Sequence, residues 1–224
     1  ATDNTDASAA NTFAVDVAGF YQSEEKAYNH FNGIWRAGFN IQNLGPKISY
    51  DNDEFNTNFL PANLKIGTGF DFIFDEDNKL AVNLELNKLL VPTPQNPDLN
   101  GDGTVTPEEY TQNYNNYRKT GWVSGLLKSF GDAPNGFSEE LKEITYALGS
   151  EYVYKDSFAV RAGYFHESPV KGARQYFSLG AGFKYTTAKI DVSYLFSSSK
   201  IRNPLENTLR FSLTFNFGDN YGIN

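Results

Sequence analysis

Leu64-Lys65-Ile66-Gly67-Thr68-Gly69-Phe70-Asp71-Phe72-Ile73-Phe74 is the stretch that decides the fold. Leu64, Ile66, Thr68, Phe70, Phe72 and Phe74 fall on one side, and Lys65, Gly67, Gly69 and Asp71 on the other. Successive strand side chains point to opposite faces, so this is a ribbon with one apolar and one polar side. At eleven residues it is about twice the usual soluble strand and long enough to cross a bilayer at a tilt.

Eight other stretches repeat the pattern, giving nine expected strands: 12–23, 31–45, 62–75, 79–91, 143–155, 157–167, 175–187, 189–198 and 207–218. The apolar side carries Val15, Val17, Trp35, Phe39, Leu80, Val82, Leu84, Leu86, Tyr146, Leu148, Phe158, Val160, Phe177, Leu179, Ile190, Val192, Leu209, Phe211, Leu213, Phe215 and Phe217, and no charge. The opposite side carries Asp16, Arg36, Lys65, Asp71, Glu85, Glu151, Arg161, Lys184, Asp191 and Arg210. Arg or Lys on a lipid face costs about 2–4 kcal/mol at the bilayer midplane, whereas a lumen solvates or pairs it. The pattern predicts an all-β fold, a transmembrane antiparallel β-barrel.

Composition agrees. The 224 residues include 19 Phe and 14 Tyr, and the mean hydropathy of -0.49 with no long apolar run excludes a transmembrane helix. A barrel hides its hydrophobicity in every second residue, and Tyr and Trp suit membrane interfaces. Zero Cys excludes disulfides and thiolate chemistry, and a net charge of -8 excludes nucleic acid as a partner. His30 and His166 are the two histidines, and no Ser or Asp spacing around them marks a triad, so an enzyme is not expected.

Short connections at 75–78, 155–157 and 186–189 alternate with long ones at 46–61, 92–142, 168–174 and 199–206. Short periplasmic turns and long extracellular loops are the outer-membrane habit, which places 92–142 outside the cell as an insertion with short helices. Residues 1–11 read as a loop or tail, and 12–224 as the C-terminal part of the barrel. An odd strand number points to strands beyond this sequence, because closed single-chain bacterial barrels have an even number. A missed or surplus strand near the N-terminus would also give an odd number.

Within the insertion, Asp98-Leu99-Asn100-Gly101-Asp102-Gly103-Thr104-Val105-Thr106-Pro107-Glu108-Glu109 has the spacing of a twelve-residue EF-hand loop. Asp98, Asn100 and Asp102 stand at positions 1, 3 and 5, and Gly103 allows the sharp turn. Thr104 offers its carbonyl, Thr106 its hydroxyl, and Glu109 closes the site bidentately on Ca²⁺. Prolines at 92, 94 and 97 bar an entering helix, so a structural staple is expected rather than a switch. A turn that binds nothing is the alternative. Further on, Trp122, Leu126, Leu127 and Phe130 recur at helical spacing, either packed on the barrel mouth or offered to a partner. A second short helix is expected over 138–144.

The stretches KLAVNLELNKLLVPTPQ (79–95), GFSEELKEITYALGSEYVY (136–154), VRAGYFHES (160–168) and NPLENTLRFSLTFNFG (203–218) resemble the PorV (LptO) family of the Bacteroidetes type IX secretion system. That family belongs to the FadL-like barrels of roughly fourteen strands, which implies about five strands beyond the nine. The resemblance implies an outer-membrane protein that binds the SprA/Sov-type translocon, receives cargo through C-terminal signal domains and delivers it to a PorU-type sortase, a role linked to gliding motility. The contacts are expected on the 92–142 loop. A FadL-like transporter of hydrophobic small molecules is the alternative implied by fold analogy.

Overall fold

The computed structural model describes residues 10–49, 57–199 and 207–216. Nine long strands form where the sequence alternates: β1 Val15–Gln22, β3 Asn32–Leu44, β6 Asn63–Ile73, β7 Asn78–Leu89, β8 Ile144–Tyr154, β9 Phe158–His166, β10 Gln175–Tyr185, β11 Ala188–Ser197 and β12 Thr208–Phe215. Three two-residue strands add to the expected set: β2 Lys26–Ala27, and the small pair β4 Ile48–Ser49 and β5 Thr57–Asn58 within the expected 46–61 loop. The helices are α1 Pro107–Lys119, α2 Trp122–Lys128 and α3 Phe137–Lys142. The last starts a residue before the expected 138–144 and gives way to β8 at Ile144. Phe217, residues 1–9 of the expected tail, 50–56 of the first long loop and 200–206 of the last lie outside the described residues.

The sheet runs β1-β3-β6-β7-β8-β9-β10-β11-β12, with β2 added on β3. Every long strand therefore lies beside its sequence neighbour. Among the described residues β1 pairs with β3 and β12 with β11, and barrel closure is not part of the pairing. The chain divides into two compact units. One comprises Ala1–Gly19, Phe39–Lys65 and Asn87–Ile144 and holds the three helices. The other comprises Phe20–Gly38, Ile66–Leu86 and Thr145–Asn224 and holds the β8–β12 meander.

In that meander the register keeps the two faces separate. Tyr152 pairs with Val160, Val160 with Ala181, Ala181 with Val192 and Val192 with Phe211, an apolar rung across five strands. One residue over, Glu151 pairs with Arg161, Arg161 with Gly180, Gly180 with Ser193 and Ser193 with Arg210. A one-residue slip would exchange the two faces and bring Glu151, Arg161, Asp191 or Arg210 toward the apolar side, which is what holds the register. The tight turns help. Lys155 and Asp156 (φ 51° and 50°) adopt the left-handed backbone that suits a tight hairpin, and Asp75 takes the amides of Asp77 and Asn78 at 2.8 and 2.7 Å.

The apolar rung is exposed: Tyr152 at 40%, Val160 at 61% and Phe211 at 72%. Buried apolar residues among those described are small or few, namely Ala62, Leu90, Ala133, Ala159 and Ala173. A soluble sandwich would cover this face with a second sheet. Among the described residues no second sheet covers it.

Two clusters on the charged face are ion-paired. Arg36 bonds Asp71 and, at 3.1 Å, Asn83; Arg161 bonds Glu151 and, at 2.6 Å, Asp191. Strand glycines make room for this. A Cβ on Gly182 would stand 2.5 Å from Asp191 Oδ1 and 3.0 Å from Arg161 Nη1, and one on Gly69 would collide with Asn83. Gly182 lets Arg161 reach across β10 to Asp191, a closer reason for the glycine than curvature.

Candidate functional site

The 92–142 insertion lies within one unit and is tied down at its base by charge. The expected uncharged face has an exception here: Lys88 continues the apolar parity of Leu80, Val82, Leu84 and Leu86, and it is buried, 8% exposed. Its Nζ donates to Glu140 at 3.0 Å and to Glu143 at 2.9 Å. The carboxylates are held in turn: Glu140 accepts the Ala133 amide at 2.7 Å, and Glu143 accepts the Thr93 hydroxyl at 2.7 Å. Asp132 accepts the Thr93 amide at 3.1 Å. Burial raises the Asp132 carboxyl above its ordinary range, and the negative charges of Glu140 and Glu143 add to the rise. The arrangement is a buried cation bridging the strand end to α3.

α1 begins where the sequence says a helix should. Thr106 is the N-cap and Glu109 the N3 residue of a complete capping box, with Pro107 at the first turn. The Thr106 hydroxyl receives the Glu109 amide at 3.2 Å, and Glu109 Oε2 receives the Thr106 amide at 3.0 Å. The far end is anchored by contacts that sequence reading missed. Lys47 Nζ donates to the Arg118 carbonyl at 2.6 Å and sits 4.2 Å above the Phe59 ring. Phe59 meets Tyr117 edge-on at 5.4 Å. Burial, then the Arg118 charge, holds the Lys47 ammonium below its usual pKa, and burial raises the Tyr117 phenol.

The loop before α1 has the turns that an EF-hand loop needs. Asp98 accepts the Gly101 amide at 2.7 Å and the Gly103 amide at 2.9 Å; Asn100 accepts that of Asp102 at 2.9 Å; Asp102 accepts that of Thr104 at 2.7 Å. Gly101 and Gly103 take φ of 75° and 83°, the left-handed region that glycine enters at least cost. The donor set of carboxylates, an amide oxygen, a hydroxyl and a carbonyl suits a hard cation. Among the described residues no group of three or more His, Cys, Asp or Glu converges on one point, and Glu109 is turned to Thr106. Glu109 would have to leave the capping box to join a cation held by Asp98, Asn100 and Asp102.

α2 packs through small residues. Gly125 and Ser129 are buried, and a Cβ on Gly125 would stand 2.7 Å from Pro92 and 2.8 Å from Phe59. The large side chains stay outside: Trp122 is 37% exposed, Leu127 67% and Phe130 51%, with Leu126 half-buried. Val123, Phe137 and Leu141 are exposed as well. Of the histidines, His166 stacks on Tyr146 at 4.7 Å and meets the Tyr164 hydroxyl at 3.2 Å, while His30 lies in an exposed turn.

Residues 1–96 match the family model of the type IX secretion system protein PorV. That span carries β1 to β7 and ends two residues before Asp98. Of the quoted likenesses, 79–95 falls inside the PorV span, and 136–154, 160–168 and 203–218 lie beyond it. No curated protein matches the chain. No helix among the described residues is long and apolar enough to cross a membrane, which leaves crossing by strands open.

Proposed function

We propose that the chain is the larger part of an outer-membrane β-barrel that serves type IX secretion as a docking subunit. It holds the translocon and passes on cargo proteins by their C-terminal signal domains. The observation that carries this reading is the union of a PorV-matching strand region with an exposed, apolar sheet face whose one charge, Lys88, is buried. Lipid is the natural cover for that face. Docking is assigned to the insertion, whose clamp at Lys88 fixes a loop with Trp122, Leu127 and Phe130 outward. Exposed aromatic and aliphatic anchors on a rigid support are what a protein interface uses as its energetic centre. The paired charges of Arg36–Asp71 and Arg161–Glu151 line the other face, which offers little to a hydrophobic solute and so favours docking over FadL-like transport.

The same reading includes a structural Ca²⁺ held by Asp98, Asn100, Asp102, Thr104, Thr106 and Glu109. The ion would stiffen the approach to α1 by neutralising carboxylates that otherwise repel one another. Affinity capture of the full-length protein from native outer membranes tests the function. Recovery of a very large translocon subunit and of proteins bearing the secretion signal domain is expected. Recovery of neither overturns the proposal.

A further inference from the structure

In the unit that contains β2 and the 75–78 turn, an open cavity of about 650 Å³ is lined by residues of two turns, Glu25 to Asn32 and Ile73 to Lys79. Its character is set by rings and carboxylates together. Tyr28 stacks on Phe31 at 5.0 Å, and Phe31 meets Phe74 edge-on at 6.4 Å. Phe72 and Phe70 back this layer, at 5.2 and 6.2 Å from Phe31. Tyr28 and Phe74 remain 43% and 47% exposed, so ring surface is left for a ligand.

Three carboxylates line the same cavity: Glu25, Asp75 and Glu76. The Lys79 ammonium, also in the lining, is drawn off to Asp156 at 2.9 Å. Glu25 is met by the neutral amide of Asn32 at 2.6 Å. Asp75 is met by Asn78 and by backbone amides, which again bring no positive charge. Burial-tolerant aromatic faces beside uncompensated anions attract one ligand class above others. An alkylammonium ion gains from the ring quadrupoles and from the carboxylates at once, and its methyl or methylene groups suit the apolar floor.

We infer that this cavity is a binding site for a small organic ammonium group, free in solution or as the headgroup of a lipid. The inference stands apart from the docking function, since it uses no residue of the insertion. The site sits where the apolar run Phe70, Phe72 and Phe74 of β6 meets the polar 75–78 turn, which is where a headgroup would meet a membrane-spanning strand.

The test titrates choline chloride into the full chain in detergent, following binding by calorimetry, against matched sodium chloride and against 3,3-dimethylbutanol, the uncharged isostere. Saturable choline binding with little response to the isostere is expected. Tyr28→Ala and Glu76→Gln, both at exposed positions, are each expected to weaken it about fivefold or more. Bicelles bearing choline headgroups serve as a second competitor: displacement of choline assigns the site to lipid, and no displacement assigns it to a free ammonium compound. Equal binding of the isostere, unchanged affinity in both variants, or no saturable binding overturns the inference.

Discussion

Lys88→Met should open the base of the insertion. In the native chain the ammonium lies 3.0 Å from Glu140 and 2.9 Å from Glu143, and the three side chains are only 10%, 8% and 13% exposed. At an effective dielectric of about 20, each attraction is worth about 5 kcal/mol before desolvation is counted. Removing the cation leaves two adjacent carboxylates buried without a counter-charge, a change that costs about 3–5 kcal/mol in comparable sites. The triple variant Lys88→Met/Glu140→Gln/Glu143→Gln removes the charge altogether and keeps acceptors for the Ala133 amide and Thr93 hydroxyl. It should recover most of the loss. Hydrogen exchange across residues 130–143 in detergent-solubilised protein reads the effect directly. At 1.36 kcal/mol per tenfold, the single variant should exchange at least about a hundredfold faster there, up to the limit set by local opening. Exchange unchanged in Lys88→Met, or equally fast in the triple variant, would refute the clamp.

Other consequences are narrower. Calorimetric titration should show Ca²⁺ binding by the wild type and its loss in Asp98→Ala and in Glu109→Ala; affinity unchanged in both removes the assigned ligands. Thr106→Ala breaks the capping box and should cost α1 about 1 kcal/mol, seen as faster exchange over 107–112. Gly182→Val forces a side chain into the Arg161–Asp191 contact and should lower unfolding stability by about 1–3 kcal/mol, while Gly121→Val, with open space around it, should not. Glu167 is held below the ordinary carboxylate range by its side-chain bonds to Arg174 at 2.8 Å, against an opposing push from burial. A depressed folded-state pKa means that its contribution is present above the usual carboxylate pKa and is lost as pH falls through the folded value. The protection of the 167–174 amides, taken relative to the intrinsic exchange rate at each pH, should therefore fall at acid pH in the wild type and depend less on pH in Glu167→Gln.

The strands were legible because their signal is local. A period of two with one apolar face survives reading residue by residue; seven of the nine long strands fall within the stretches that show it, and β7 and β11 each start one residue earlier. The capping box around Thr106 and Glu109 went unread, because the same two residues fit the last ligand positions of an EF-hand loop. Lys88 was not legible either: it sits on the apolar parity, and its partners lie 52 and 55 residues away. Nor was the Lys47 anchor, which joins a loop to a helix carbonyl 71 residues on. The apolar stripe of α2 could be seen in sequence, but its packing face is Gly125 and Ser129, residues that a hydrophobic pattern passes over. The role of Gly182 needed the register, because Arg161 and Asp191 become its neighbours only across paired strands.

The proposed docking face comprises the exposed apolar side chains of α2 together with Phe130 just beyond it. Quantitative capture from native membranes, comparing wild type with Leu127→Asp/Phe130→Asp at equal outer-membrane abundance, tests it most directly. The account predicts that the double variant, altered at residues 67% and 51% exposed, folds normally and loses the translocon, the cargo signal domains or both. Recovery of both at wild-type levels would contradict it.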